Sequence, residues 1–278
     1  MTPRIRRLLA VLVSSAAIAC GPSPSRSPAV TVTASASASA ASISATPSPT
    51  TVATPSPSPS PAALPQGSEP VTLDPARFAG VPIDHPFWPM ARGSRWVYRE
   101  TDAEGGNQKV EVTVTDQAKT ILGIQATVVH DIVTEDGEVV EDTIDWYAQD
   151  TAGNLWYLGE DTKEYEGGVV VTTEGSWEAG VKGAQPGIIL PAAPTVGMTY
   201  RQEYYAGQAE DAAEVLSLSQ HVAVPFGTFD GVLQTKDFTP LDPANVEHKF
   251  YARGVGPVQV IQVAGGSSRE VLLTFEAG

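Results

Sequence analysis

A run of carboxylates is the densest charge feature of this chain, and its spacing raises the first question of chemistry. Asp131, Glu135, Asp136, Glu138, Glu141, Asp142 and Asp145 crowd one stretch around the dipeptide Asp136-Gly137. A calcium site gathers several oxygens at about 2.3–2.6 Å from one ion, usually from a single loop. No EF-hand spacing occurs here, and acids at a hairpin tip splay outwards. The cluster is therefore expected to be a solvated turn that keeps the domain soluble. A glycosidase needs only two carboxyl groups, about 5–9.5 Å apart, and these can come from any strands. That chemistry stays open, because nothing in the sequence selects a pair.

Other reactions lack their residues. His85, His130, His221 and His248 are scattered, with neither HxH nor HExxH spacing, so no metal site is assigned. No Gly-x-Ser-x-Gly elbow is present. Arg253-Gly254-Val255-Gly256 has the glycines of a phosphate loop, but a strand follows it instead of a helix N-terminus, so a bend between strands is expected. Asp150-Thr151-Ala152-Gly153-Asn154 is accounted for by turn chemistry, with Asp accepting backbone hydrogens and Gly supplying positive φ. No catalytic residue and no cofactor is assigned.

The aromatic residues allow a binding function. Leu155-Trp156-Tyr157-Leu158 places large side chains on both faces of one strand. Trp146, Trp156 and Tyr157 are the candidate ligand-facing aromatics, for a lipid, peptide or glycan in an open concavity. Large rings are also what a core without disulfides requires. A filled interior would point to a structural envelope protein.

The elements that position these residues begin with an export signal. Arg4, Arg6 and Arg7 precede an apolar run from Leu8 to Ile18 that is too short for a membrane span, which needs about 20 residues. The run ends in Ala17-Ile18-Ala19, directly before Cys20, the single cysteine. This arrangement resembles the lipobox of bacterial lipoproteins, with Ala17 where Leu is usual. The resemblance implies cleavage before Cys20 and a diacylglycerol on its thiol. Residues 1–19 are thus expected to be a signal peptide, and the mature chain to be lipid-anchored in the cell membrane, facing outside the cytoplasm. Its partners are expected to be the membrane, through that lipid, and an apolar ligand or envelope protein. With Cys20 acylated, no thiol remains for disulfide, metal or nucleophile.

Residues 20–68 are rich in Ser, Ala, Thr and Pro, with Thr54-Pro55-Ser56-Pro57-Ser58-Pro59-Ser60-Pro61 as the clearest run. Such a composition is expected to form a disordered, semi-rigid tether; at about 3.1 Å per residue it would lift a domain on the order of 100 Å. The chain carries a net charge of −15, yet its first 68 residues hold four arginines and no acid, leaving 13 basic against 32 acidic residues beyond them, a net of −19. A domain so acidic repels a phosphate backbone, and nucleic acid is excluded as a partner.

From residue 69 a single β-rich domain is expected. His85-Pro86-Phe87-Trp88-Pro89 cannot be helical, because each Pro forces its predecessor out of the helical region. It is expected to plug or cross one end of the domain with its aromatic pair. Val110, Val112 and Val114 then alternate with polar residues, and Ile144, Trp146 and Ala148 alternate with Asp145 and Tyr147. About a dozen short antiparallel strands follow in series, the pattern of an all-β barrel, half-barrel or sandwich. Gly183–Gly197 reads as the longest break between strands, and Ala209–Leu218 as the one segment that competes as a helix. The runs Asp145-Trp146-Tyr147-Ala148-Gln149-Asp150, Gly153-Asn154-Leu155-Trp156-Tyr157-Leu158-Gly159-Glu160, Pro225-Phe226-Gly227-Thr228-Phe229 and Tyr251-Ala252-Arg253-Gly254-Val255-Gly256-Pro257-Val258 are similar to secreted bacterial proteins of the DUF3108-like and LolA-like half-barrel kind. That resemblance implies a half-barrel and no reaction.

Overall fold

The computed structural model describes residues 64–278; the expected signal peptide, Cys20 and most of the expected tether lie outside them. Strands β1 (Arg95–Thr101), β2 (Asn107–Ile121), β3 (Ile124–Glu135), β4 (Glu138–Gln149) and β5 (Leu155–Glu166) form a meander, each antiparallel to the next. Two short strands, β6 (Val169–Thr172) and β7 (Trp177–Glu178), pair with β5. Next come β8 (Gln185–Leu190), β9 (Thr199–Arg201) and β10 (Glu203–Tyr204). A second meander runs through β11 (Ala212–Val224), β12 (Gly227–Phe238), β13 (Val246–Ala252), β14 (Gly256–Ala264) and β15 (Arg269–Glu276). Pairing of β15 with β1 joins the two meanders into one 15-stranded antiparallel sheet. The fold is all-β, as the period-two patterning requires.

The hydrogen-bonded path is open. It starts at β10 and ends at β9, two strands separated along the chain by Gln202 alone. The chain itself thus spans the seam, and β8 lies so close to it that a Cβ on Gly187 would meet the Gln202 carbonyl carbon at 2.2 Å. Curling of the sheet is shown by Trp88, whose ring packs against Tyr147 of β4 at 5.6 Å and Tyr251 of β13 at 6.2 Å. Those strands are distant in sheet order, so they can share Trp88 only across a common inner space. The segment around Trp88 therefore plugs one end, as its prolines and rings lead one to expect. Its backbone is fixed by Gly254 N–H donating to Pro86 O at 2.9 Å, and Arg253 lies over the Phe87 ring.

Three details depart from expectation. The strands are more numerous and several are long, because tight two-residue turns let them run on past the apolar stretches. Within Gly183–Gly197, Gln185–Leu190 is strand β8, since Ile188 and Leu190 are buried and Gly187 allows the close approach to Gln202. The helix competitor Ala209–Leu218 belongs largely to β11, where Ala213 and Val215 bury on alternate positions. Packing against the sheet begins at Leu64. Arg201, 2% exposed, holds this strap by donating from Nη1 to the carbonyls of Gly67 and Glu69, each at 2.7 Å, and from Nη2 to Pro186 O.

Candidate functional site

The three candidate ligand-facing aromatics fall on opposite faces of the sheet. Trp146 and Trp156 share the outer face, since Ala148 stands opposite Trp156 and lies two residues from Trp146. Lys119 Nζ covers the Trp146 ring at 3.3 Å, held by Glu178 at 2.7 Å. Trp156 is covered edge-on by Phe78 and donates from Nε1 to Asp150 Oδ2 at 3.1 Å. The same Asp150 accepts from Ala152 N and Asn154 N, which is the turn chemistry expected there. Only Tyr157 points to the inner face. There its ring stacks on Tyr147 at 4.9 Å and meets Trp177 edge-on at 5.4 Å.

Beyond this aromatic layer the inner face becomes acidic. The register of β4 against β5 sets Tyr147 opposite Tyr157, Asp145 opposite Glu160, Thr143 opposite Thr162 and Glu141 opposite Glu164. Asp145 and Glu160 are 3% and 2% exposed, whereas Glu141 and Glu164 are half-buried. A line of carboxylates therefore runs from the rim inwards. Two more like-charged pairs stand directly opposite each other, Glu100 with Glu270 between β1 and β15, and Asp237 with Glu247 between β12 and β13. Directly opposed like charges destabilise a sheet, and burial deepens the cost. The expectation of a solvated acidic turn is thus corrected in part. Glu135, Asp136 and Glu138 do form the hairpin tip, but Asp131 and Asp145 are buried, because period-two alternation sends every second residue of β3 and β4 inwards.

The acids are answered by one buried ammonium among the described residues. Lys249 Nζ sits 3.0 Å from Asp237 Oδ2, and Asp237 also accepts from Gln202 Nε2 at 3.0 Å and Thr235 Oγ1 at 2.6 Å. Burial opposes the charge on Lys249, but Asp237, Tyr251 and Glu247 outweigh it and raise its pKa. Asp145, Glu160 and Glu247 shift towards their uncharged, protonated form. Burial pushes Asp145 up to about 7, against the hydrogen bond from the Tyr157 hydroxyl at 2.6 Å. Glu160 is raised well above the usual carboxylate range by burial and by Asp145, although Thr162 donates to it and the Tyr157 hydroxyl oxygen lies 3.1 Å from its Oε2. Glu247 is pushed up to about 8, mainly by burial.

Glu203 is the extreme case. It is 0% exposed, and burial together with Asp211 and Glu160 raises its pKa well above the ordinary value. Neither carboxyl oxygen accepts a well-formed hydrogen bond, and the Trp177 indole N–H turned towards it is likewise unbonded. Glu247 Oε2 is buried and unbonded as well. Among the described residues no three His, Asp or Glu side chains converge so as to hold a metal ion. The carboxylates are spread along the inner face instead. Sequence reasoning missed Glu160, Glu203 and Glu247, whose common face depends on long-range pairing.

No protein-family model matches the chain, and no curated protein matches it. Two solved structures are similar in outline. A candidate lipoprotein from Parabacteroides distasonis ATCC 8503 is 14% identical, covering 68% of this chain and 98% of its own, with a TM-score of 0.39. A candidate exported protein with a YmcC-like fold from Bacteroides fragilis NCTC 9343 is 15% identical, covering 69% and 99%, with a TM-score of 0.40. Likeness at that level carries no functional argument, so what the domain can bind is decided by the chemistry of its own inner face.

Proposed function

We propose that the chain is a lipid-anchored extracytoplasmic binding module, held at the cell membrane through Cys20, whose ligand occupies the inner space of the sheet. The observation behind this reading is the set of directly opposed carboxylates, Asp145 with Glu160 and Asp237 with Glu247, kept in a buried position that costs stability. A purely structural core gains nothing from such pairs, since well-packed apolar residues are as stable or more so. The aromatic layer of Tyr147, Tyr157, Trp177 and Trp88 supplies an apolar wall beside them. An amphiphilic ligand, polar at one end and apolar at the other, matches both layers.

Native mass spectrometry of the full chain, extracted from its host membranes in mild detergent, tests the binding function. A co-purified small molecule is expected; a clean protein mass from every preparation removes the reading. A second reading is favoured by Asp145 and Glu160 lying within 2.6 and 3.1 Å of one phenol oxygen. Such a pair is the arrangement an envelope hydrolase would use, one carboxyl protonated and the other charged. Turnover of envelope glycans by the wild type, abolished in Glu160→Gln, distinguishes it from the binding module.

A further inference from the structure

We infer that His85 is a proton-sensitive clasp for the plug at residues 83–90, closed while its ring is neutral and released when the ring takes up a proton. The hydrogen bonds of the ring carry this inference, which is independent of what the inner face binds. The Phe87 N–H lies 3.2 Å from His85 Nδ1, and His85 Nε2 lies 3.0 Å from the carbonyl oxygen of Pro191, the residue after β8. A backbone N–H can only donate, and a carbonyl oxygen can only accept. Nδ1 therefore presents a lone pair and Nε2 carries the hydrogen, which is one tautomer of the neutral imidazole and no other state. The ring is 1% exposed, so solvent cannot take over either role.

The clasp fastens one side of the plug. On its other side the Gly254 N–H donates to Pro86 O, and the Arg253 guanidinium lies over the Phe87 ring; both residues belong to the turn between β13 and β14. Within the segment, the Trp88 N–H donates to His85 O and the Met90 N–H to Ile83 O. Residues 83–90 belong to no strand, so these few bonds and the buried rings hold them. The clasp thereby also holds Trp88 between Tyr147 and Tyr251.

A proton on Nδ1 turns the acceptor into a second donor aimed at the Phe87 N–H. The hydrogen bond is lost, and a charge is left where water does not reach. Burial is the main influence on the ring and lowers its affinity for a proton. The Pro191 carbonyl and Asp84 favour the imidazolium, while Arg253 from the turn between β13 and β14 opposes it; Asp84 also accepts from Gln149 Nε2 at 2.6 Å. Once the plug is open the ring regains its ordinary pKa of 6.5. The open plug then binds more protons than the closed one, so opening grows as pH falls below that value. Asp145 and Glu160 act on the whole fold in the opposite sense, which confines the effect to the plug.

The test is hydrogen exchange of the full chain at pH 7 and pH 5.5, read by mass spectrometry on peptides covering residues 83–90 and corrected for the intrinsic pH dependence of exchange. The expected result is a loss of protection in the plug of about fivefold at the lower pH, from the linkage of one proton over that interval, while peptides of β2 and β3 keep or gain protection. In His85→Asn the side-chain oxygen can still accept from the Phe87 N–H two residues on, but nothing titrates, so the corrected rate should not change with pH. His221→Asn, at an exposed histidine bonded to Asp230, should keep the wild-type response. Plug protection that is unchanged at pH 5.5 in the wild type, or an equal loss in His85→Asn, overturns the clasp. Where His85→Asn fails to fold, the imidazole nitrogen shifts of the wild type decide. Hydrogen on Nε2 alone at pH 7, giving way to imidazolium as the plug loses protection, supports the clasp; hydrogen on Nδ1 at pH 7 overturns it.

Discussion

Asp145 and Glu160 stand directly opposite each other on β4 and β5, and both reach the hydroxyl of Tyr157. Two buried carboxyls that share one phenol cannot both carry charge cheaply, so the folded domain retains protons that the unfolded chain gives up. Unfolded, these groups titrate near 3.8 and 4.5; folded, Asp145 is held at about 7 and Glu160 well above its ordinary value, with burial as the main cause for each. The native state therefore binds more protons across the interval from about pH 4 to pH 7, and stability falls as pH rises through it.

The first prediction is a melting temperature that decreases steadily from pH 5 to pH 8, Asp145 with its pKa of about 7 accounting for about 2–3 kcal/mol of the loss and Glu160 acting in the same direction. Asp145→Asn keeps an acceptor for Tyr157 and removes one titrating group, so the decline should become shallower. A wild-type Tm that stays flat or climbs over that range contradicts the assignment of protonated acids.

The opposition of Asp145 and Glu160 depends on a bulge. Counting back from the turn at Asp150–Asn154, Gln149 pairs with Leu155 and Tyr147 with Tyr157, but Trp146 pairs with Gly159, so Leu158 is the extra residue. Without that insertion Glu160 would face outwards. Gly159 makes the bulge possible: its φ is +132°, and a Cβ there would lie 2.3 Å from the Trp177 carbonyl oxygen. The second prediction is that Gly159→Ala destabilises the domain by about 2–4 kcal/mol in urea denaturation. Gly167→Ala, at a positive φ with open space around it, should cost about 1 kcal/mol.

This bulge also marks the limit of what is legible from residues alone. The valines of β2 and the sharing of one face by Asp145 and Tyr147 follow from alternation, and the aromatic plug at Trp88 follows from its prolines. Alternation cannot tell which face is inner, and it assigns Glu160 to the wrong one once a residue is inserted at Leu158. Trp146 and Trp156 illustrate a second limit, since the groups that cover them, Lys119 and Phe78, arrive from other elements. The juxtaposition of Glu203 with Glu160 requires β10 to return beside β5, a contact with no local signal.

The third prediction concerns Cys20. Its place after Ala17-Ile18-Ala19 leads us to expect that Cys20→Ser shifts the protein from the membrane fraction to the medium, or leaves it as an unprocessed precursor. Two acyl chains, each methylene contributing about 0.8 kcal/mol, are what make anchoring stable. Unaltered membrane retention together with acylation of the variant, followed by metabolic labelling with a fatty-acid probe, is the result that excludes lipidation at this residue.

The fourth prediction isolates the one buried ammonium among the described residues, Lys249. Lys249→Met fills similar volume but leaves Asp237 and Glu247 directly opposed with no cation between them. Breaking a buried pair from one side typically costs about 3–5 kcal/mol, because the partner charge remains in a medium that cannot solvate it. Pairing Lys249→Met with Asp237→Asn removes that stranded charge and should recover a large part of the loss. Urea denaturation of the two single variants and the double gives the coupling directly. Lys119→Met serves as the control: its bridge to Glu178 is partly exposed on the outer face, with side chains 36% and 33% accessible, so the loss should stay near 1 kcal/mol or below. Equal losses for Lys249→Met and Lys119→Met, or no recovery in the double variant, would show that Lys249 does not offset the inner acids.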